Sequence, residues 1–109
     1  MNSRIIFTVQ SILDKKVRLT RAQWNHTIFR HKELKGQEEK LKQTLQEPAI
    51  VLYSDIDDNY QYYRLYSTTP VSEKYLLVVV KHLNGEGFII TAFFLREIRK
   101  KGKVKVYER

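Results

Sequence analysis

The chain has no cysteine, and its 109 residues include only two prolines and four glycines. The absence of cysteine excludes a disulfide scaffold, a thiolate metal site and a cysteine nucleophile. It also agrees with a reducing compartment, and we expect the protein to be cytoplasmic. Because no proline- or glycine-rich linker divides the sequence, we expect a single domain over residues 1–109.

Long hydrophobic runs are missing as well. The longest, at residues 76–80 and 88–90, have the length of strands, and residues 5–7 are too few for a signal-peptide core. We therefore expect no membrane-spanning segment and no membrane partner. With 42% apolar and 12% aromatic residues, the chain still has enough side chains to form a core, so it is not a disordered basic tail.

Acidic residues are fewer than basic residues. Lysine and arginine number 20 against 12 aspartates and glutamates, which gives a formal net charge of +8 and a pI of about 9.8. Such a surplus attracts polyanions, and RNA is the leading candidate partner. The alternative is a solubility charge, which in small domains commonly has a magnitude of about 2–8. The basic residues concentrate at 96–105 and acidic ones at 55–58, so we expect a polarised surface.

Two helices are predicted in the first half of the chain, within about residues 20–47. Thr20 and Gln23 match the Thr-x-x-Gln capping box, in which each side chain caps the other residue's backbone amide, and this predicts a helix over residues 21–31. A second helix over residues 37–46 is predicted from three leucines at helical spacing: Leu34, Leu41 and Leu45.

The rest of the chain, about residues 49–107, has the pattern of an antiparallel sheet. The predicted strands are rich in Val, Ile, Tyr and Phe and cover residues 49–54, 60–67, 75–83 and 88–95, with a short edge strand at 103–107. The expected fold class is α+β, with two N-terminal helices packed on a four- to five-stranded antiparallel sheet. Residues 4–9 and 17–19 are predicted to be extended, without a place in that sheet.

The loop at residues 84–87 sets the expected faces of the last two long strands. With Leu83 opposite Phe88, Lys81 lies opposite Ile90. This register predicts that Lys81 and Thr91 lie on opposite faces of the sheet.

The strand at residues 60–67 carries tyrosines and an arginine on one face. Tyrosine stacks on bases or hydrogen-bonds to phosphates, and an arginine fork binds a phosphate through two hydrogen bonds. We therefore predict a nucleic-acid-binding set of five residues, comprising Tyr62, Arg64, Tyr66, Arg18 and Arg96. The alternative is that tyrosine is simply a good strand former on a half-exposed face.

The histidines are candidates for acid–base chemistry. His26 and His31 are five residues apart, so on a straight helix they point about 140° away from each other. Because neither has the spacing of metal ligands, we expect no metal and no cofactor. A packing or surface role is the alternative for each. Together with Arg64 and Lys81, they supply the base, acid and cations that metal-independent RNA cleavage requires.

Two parts of the sequence resemble a nuclease family. Leu-Thr-Arg-Ala-Gln-Trp-Asn-His-Thr-Ile at residues 19–28 and Arg-His-Lys-Glu-Leu at 30–34 are similar to the "L-T-x-x-x-W-x-H-I … R-H-P-E" opening of phage- and bacteria-borne nucleases of the barnase, EndoU, colicin and RelE type. Residues 77–81, 87–94 and 98–102 are similar to that type's "V-V-V-K … G-F-V-I-T-A-Y … I-K-K-G" ending.

The resemblance implies a small endoribonuclease, a toxin or phage-derived effector with a barnase- or RelE-like fold. It also implies an antitoxin or immunity protein as a candidate partner. The positions that match the family's motif, and are thereby predicted to be catalytic, are His26, His31, Lys81 and Thr91. Two residues depart from the pattern, because Lys32 replaces a proline and Phe93 replaces a tyrosine.

The leading functional hypothesis from the sequence is a metal-independent endoribonuclease that cleaves RNA through attack by the ribose 2′-hydroxyl. The alternative is a non-catalytic basic module of the same fold that binds RNA or another protein.

Overall fold

The computed structural model of the chain describes residues 4–109. These residues form two α-helices, one 3₁₀ turn and seven strands. In chain order they are β1 (Ile5–Gln10), β2 (Lys16–Thr20), α1 (Arg21–Arg30), the 3₁₀ turn (Lys32–Leu34), α2 (Glu38–Gln46), β3 (Ile50–Ser54), β4 (Asn59–Leu65), β5 (Tyr75–Leu83), β6 (Glu86–Leu95) and β7 (Val104–Glu108).

The seven strands form one sheet in the order β1-β2-β6-β5-β4-β3-β7. Neighbouring strands are antiparallel except β2 and β6, which run parallel with Val17 opposite Gly87 and Arg18 opposite Phe88. The fold is a mixed α+β fold, but the predicted barnase- or RelE-like arrangement of two N-terminal helices on a four- to five-stranded antiparallel sheet is wrong. Two strands precede the helices, and both belong to the sheet.

The pairing of β2 with β6 explains why the strand count was underestimated. Val17 and Leu19 are fully buried and Gly87 lies opposite Val17, yet no local pattern links strands so distant in sequence. Gly87 permits the close approach, because a Cβ atom there would lie 2.9 Å from Val17 Cγ2 and 3.1 Å from the Lys16 carbonyl oxygen. The pairing of β2 with β6 therefore depends on the absence of a side chain at residue 87.

Helix α1 lies beside β6. Its first turn is capped by Thr20, whose Oγ1 accepts a hydrogen bond from the Gln23 amide at 3.2 Å. The reciprocal half of the predicted capping box does not form, because Gln23 Nε2 donates instead to the carbonyl oxygen of Ile90 at 2.6 Å. Since β2 pairs with only two residues of β6, the helix side chain binds a carbonyl group along β6 that β2 leaves unpaired.

Hydrophobic residues pack on both faces of the sheet. On the helix face, which carries Leu76, Val78 and Val80, the core includes buried residues from the helical segments: Trp24, Leu34, Leu41 and Leu45. The opposite, outer face has a second cluster comprising Ile50, Leu52, Tyr63, Leu77, Val79 and Leu95. The connecting segment, residues 96–103, joins β6 to β7 and packs on this second cluster through Ile98.

Neither helix within residues 4–109 is long and apolar enough to cross a lipid bilayer.

Candidate functional site

The register of β5 and β6 brings Lys81 and Thr91 to one face. Asn84 and Gly85 have φ angles of 55° and 81° and form a two-residue turn, so Lys81 lies opposite Phe88, not opposite Ile90. A β-bulge then inserts Ile90, and Val79 lies opposite Thr91. Because alternate residues of β5 share a face, Lys81, Val79 and Thr91 all lie on the outer face. The prediction of opposite faces is therefore wrong.

His31 reaches the same face from the end of α1. Its imidazole stacks on the ring of Phe93, with ring centres 5.2 Å apart and planes inclined by 25°. Phe93 follows Thr91 by two residues and lies opposite Leu77, which places it on the outer face. His31 Nδ1 lies 3.9 Å from Glu33 Oε2, and the other ring nitrogen, Nε2, takes no part in that pair.

The connecting segment adds two cations to this face. The Arg99 guanidinium carbon lies 5.7 Å from the centre of the Phe93 ring. Lys103 Nζ donates a hydrogen bond of 2.6 Å to Gln61 Oε1, and Gln61 Nε2 in turn donates to Asn59 Oδ1 at 3.1 Å. Since Gln61 lies opposite Val79, which itself lies opposite Thr91, this amide links the lysine to the strands that carry the predicted residues.

Lys103 has an environment that disfavours its charge. Burial lowers the pKa of its ammonium group, the nearby Arg99 lowers the pKa further, and Asp57 acts in the opposite direction. Among the ion pairs formed within residues 4–109, none includes Arg99 or Lys103. Two neighbouring positive charges therefore meet here without a carboxylate partner.

Lys81 differs from Lys103 because it has an acidic neighbour. Its Nζ lies 3.8 Å from Asp58 Oδ2, and both side chains are substantially exposed, at 45% and 67%. Such an exposed pair is weak and exchanges partners easily.

His26 is not brought to this group. It is exposed on α1, five residues before His31, and it points to a different side of the helix. Of the four residues predicted to be catalytic, the structure thus brings three to the outer face, namely His31, Lys81 and Thr91.

The predicted nucleic-acid contacts on β4 lie on the helix face. Tyr62 is fully buried and its hydroxyl donates to Ser11 Oγ at 2.9 Å. Burial raises the pKa of Tyr62 and of Tyr66. The Tyr66 hydroxyl donates to the Lys40 carbonyl oxygen at 2.9 Å, and Arg64 donates to the Glu47 carbonyl oxygen. The three residues do share a face, as the alternation predicts, but Tyr66 and Arg64 connect the sheet to α2 and its end, and Tyr62 connects it to the residue that follows β1.

The two remaining predicted arginines lie apart. Arg18 on β2 is ion-paired with Glu86 and lies over Phe88, with its guanidinium carbon 4.6 Å from the ring centre. Phe88 is opposite Lys81, so Arg18 is at the border of the outer face. Arg96 is exposed, with Nε 3.9 Å from Glu73 Oε2.

Sequence reasoning missed Gln61, Arg99 and Lys103. The basic residues at 96–105 predicted only a polarised surface, because the segment carries six lysines and arginines among its ten residues. No local signal separates Arg99 and Lys103, which approach Phe93 and Gln61, from the neighbouring Lys100 and Lys101.

The chain matches no protein-family model, no curated protein and no solved structure.

Metal chemistry has no evident ligands in the part of the chain that the structure describes. Residues 4–109 contain no group of three or more His, Asp or Glu side chains placed to hold a metal ion. The chemistry available on the outer face is that of an imidazole, a hydroxyl and several cations.

Proposed function

We propose that the protein is a metal-independent endoribonuclease that acts on RNA from the outer face. The observation that carries the proposal is the bulge at Ile90, because it turns Thr91 to the face of Lys81 and of the His31–Phe93 stack. The net charge of +8 and the resemblance of residues 19–34 and 77–102 to barnase-, EndoU-, colicin- and RelE-type nucleases support it. By the same resemblance, we propose a cytoplasmic, toxin-like or phage-derived effector with an antitoxin or immunity protein as partner.

The proposed reaction is an internal transfer of the phosphoryl group. His31 Nε2 accepts the proton of the ribose 2′-hydroxyl, whose oxygen attacks the adjacent phosphorus atom. Lys81 and the Thr91 hydroxyl stabilise the charge that develops on the phosphorane oxygens. The bond to the 5′-oxygen breaks and that oxygen takes the proton from His31. The products are a 2′,3′-cyclic phosphate and a 5′-hydroxyl, and the proton balance needs no metal ion.

Cleavage of RNA in the presence of EDTA tests the proposal directly. Wild-type protein is expected to produce fragments with cyclic phosphate ends. His31→Ala is expected to slow cleavage by about 10²–10⁴-fold, the usual contribution of a positioned acid–base group. His26→Ala is the matched control, since it removes the same side chain from an exposed position of α1, and it is expected to cleave as wild type does.

A non-catalytic RNA-binding module is the second candidate. The outer face of the described residues carries one histidine, His31. Catalysis by a separate general base and general acid needs two such groups, so a single imidazole favours a function without cleavage. This function predicts RNA binding that weakens steeply with salt and yields no product. Absence of cleavage by wild type, or equal cleavage by His31→Ala, would decide against the nuclease.

A further inference from the structure

We infer that Arg99 and Lys103 form a subsite that binds a phosphodiester group of the RNA strand beside His31. The identity of the ligand rests on the proposed function, whereas the affinity for an anion rests on the geometry of the two cations. Neither residue belongs to the set that the sequence predicts to be catalytic or nucleic-acid-binding.

The geometry connects the two cations to the reacting group. Arg99 and His31 approach one aromatic ring, with the guanidinium carbon 5.7 Å and the imidazole centre 5.2 Å from the centre of Phe93. Lys103 lies across β4 and β5 from Thr91, at the end of the row that Gln61 and Val79 form on the outer face. A phosphate held by Arg99 and Lys103 would therefore lie on the outer face, the face of the sheet that also carries His31 and Thr91.

The charges of the subsite call for an anion. Lys81 has a carboxylate, that of Asp58, within ion-pair distance. Lys103 forms no ion pair within the described residues, and burial and repulsion from Arg99 lower its pKa, with Asp57 acting in the opposite direction. A phosphate would offset the repulsion and restore hydrogen bonds to the ammonium group, which donates only one bond here.

Gln61 makes the subsite a built feature instead of two loose side chains. It is 6% exposed, its amide nitrogen is occupied by Asn59, and its oxygen holds the Lys103 ammonium group. The Tyr63 hydroxyl accepts a hydrogen bond of 3.4 Å from the Arg99 backbone amide, which anchors the connecting segment at the second cation. Lys101 in the same segment is exposed, so it provides a control of equal charge.

Equilibrium binding of an uncleavable RNA tests the subsite separately from catalysis. The probe is a short single-stranded 2′-O-methyl oligonucleotide, which lacks the attacking hydroxyl, and inorganic phosphate is the second probe. Lys103→Ala is expected to weaken oligonucleotide binding about tenfold and to reduce the slope of log K against log salt by about 0.7, the value for one lost phosphate contact on a single strand. Lys101→Ala is expected to retain the affinity to within about twofold, as an exposed charge does.

Gln61→Glu is a sharper variant because it changes no volume. It places a carboxylate against Lys103 Nζ, which satisfies the ammonium group internally, so the oligonucleotide is expected to bind at least as weakly as it does to Lys103→Ala. Nuclear magnetic resonance of the lysine ammonium groups supplies a direct readout. Saturation of wild type with the oligonucleotide is expected to raise the pKa of Lys103, and the variant is expected to show it already raised.

The outcomes separate the subsite from the nuclease. Weakened binding in Lys103→Ala together with no RNA cleavage by wild type would overturn the nuclease and leave the anion subsite standing. Equal binding by Lys103→Ala and Lys101→Ala together with active wild type would overturn the subsite alone. If inorganic phosphate shifts the magnetic resonance signal of the Lys103 ammonium group and the oligonucleotide does not, the ligand of the subsite is not a phosphodiester and that assignment is overturned.

Discussion

The two faces of strands β4 to β6 use the same residue types in opposite ways. On the helix face, the Tyr62 hydroxyl donates to Ser11 Oγ and Arg64 Nη1 donates to the Glu47 carbonyl oxygen, so both side chains bond to the fold itself. On the outer face, Arg99 is near enough to Lys103 to lower its pKa, and neither cation forms an ion pair with a carboxylate of the described residues. The difference teaches that a side chain's chemistry indicates a function only when the fold leaves it unpaired.

Removing a cation from each face should give the largest contrast. Lys81→Ala is expected to lower the rate of RNA cleavage by about 10²–10³-fold, the usual cost of one electrostatic group at a reaction centre, with little loss of stability. Arg64→Ala removes a cation that binds the Glu47 carbonyl oxygen just after α2, so cleavage is expected to persist in a less stable protein. Single-turnover rates and urea unfolding measure the two effects. Equal losses of rate in both variants would remove the distinction between the faces.

Gly87→Ala tests the join of β2 to the sheet on the helix face. The added Cβ atom would lie 2.9 Å from Val17 Cγ2, and we expect a loss of about 1–3 kcal/mol in the free energy of unfolding, as for other overpacked sites. Urea denaturation measures it. Adding Val17→Ala removes the contacting atom, so the double variant should lose less than the sum of the two single losses. Strict additivity would mean that the contact does not constrain the join.

Tyr62→Phe should lower stability by less than Gly87→Ala does, and it should leave RNA binding unchanged. The variant loses the hydrogen bond to buried Ser11, at an expected cost of about 1 kcal/mol in the free energy of unfolding, while the affinity for the 2′-O-methyl oligonucleotide stays that of wild type. Denaturation and binding are measured on the same samples. A fall in affinity without a fall in stability would return this tyrosine to the nucleic-acid-binding set.

His82 should give the smallest effect, a dependence of stability on acid. It lies on the helix face edge-on to Tyr60, with ring centres 4.8 Å apart and both ring nitrogens buried without partners within the described residues. Burial lowers the pKa of His82 below 6.5, and Lys15 acts in the same direction. Between that lowered pKa and 6.5 the unfolded chain binds more protons, so the free energy of unfolding falls as the pH falls.

His82→Phe is expected to reduce this dependence on pH, as measured by urea denaturation at several values between pH 5 and 7. The His26→Phe variant changes an exposed histidine and serves as the control. An unchanged slope in His82→Phe would assign the acid sensitivity to another group.

The sequence predicted the individual helices better than it predicted which strands pair with each other. The start of α1 follows from the Thr20 cap, and α2 follows from Leu41 and Leu45, because capping and helical spacing act over a few residues. The partnership of Val17 with Gly87 could not be predicted, since it depends on how the intervening helices return the chain to the sheet.

The candidate site was predictable only as far as side-chain types. His31, Lys81 and Thr91 were selected by motif, and the position of Thr91 on the same face as Lys81 depends on one extra residue, Ile90, which no alternation pattern reveals. Tyr62 and Tyr66 were assigned to the correct common face, but nothing local shows that α2 covers that face. Gln61 could not be recognised, because its role arises from Lys103, which lies far away in the sequence.

The pairing of β7 with β3 has a consequence for the order of events during synthesis. Val51 lies opposite Tyr107, so this pair cannot form until more than fifty further residues have left the ribosome. The connecting segment, with Arg99 and Lys103, is held between β6 and that late pair. A nascent chain thus carries His31 and Lys81 well before it carries a finished anion subsite. If the protein cleaves RNA as proposed and cleavage depends on that subsite, a cell that makes it is exposed to the activity only after the last strand has docked.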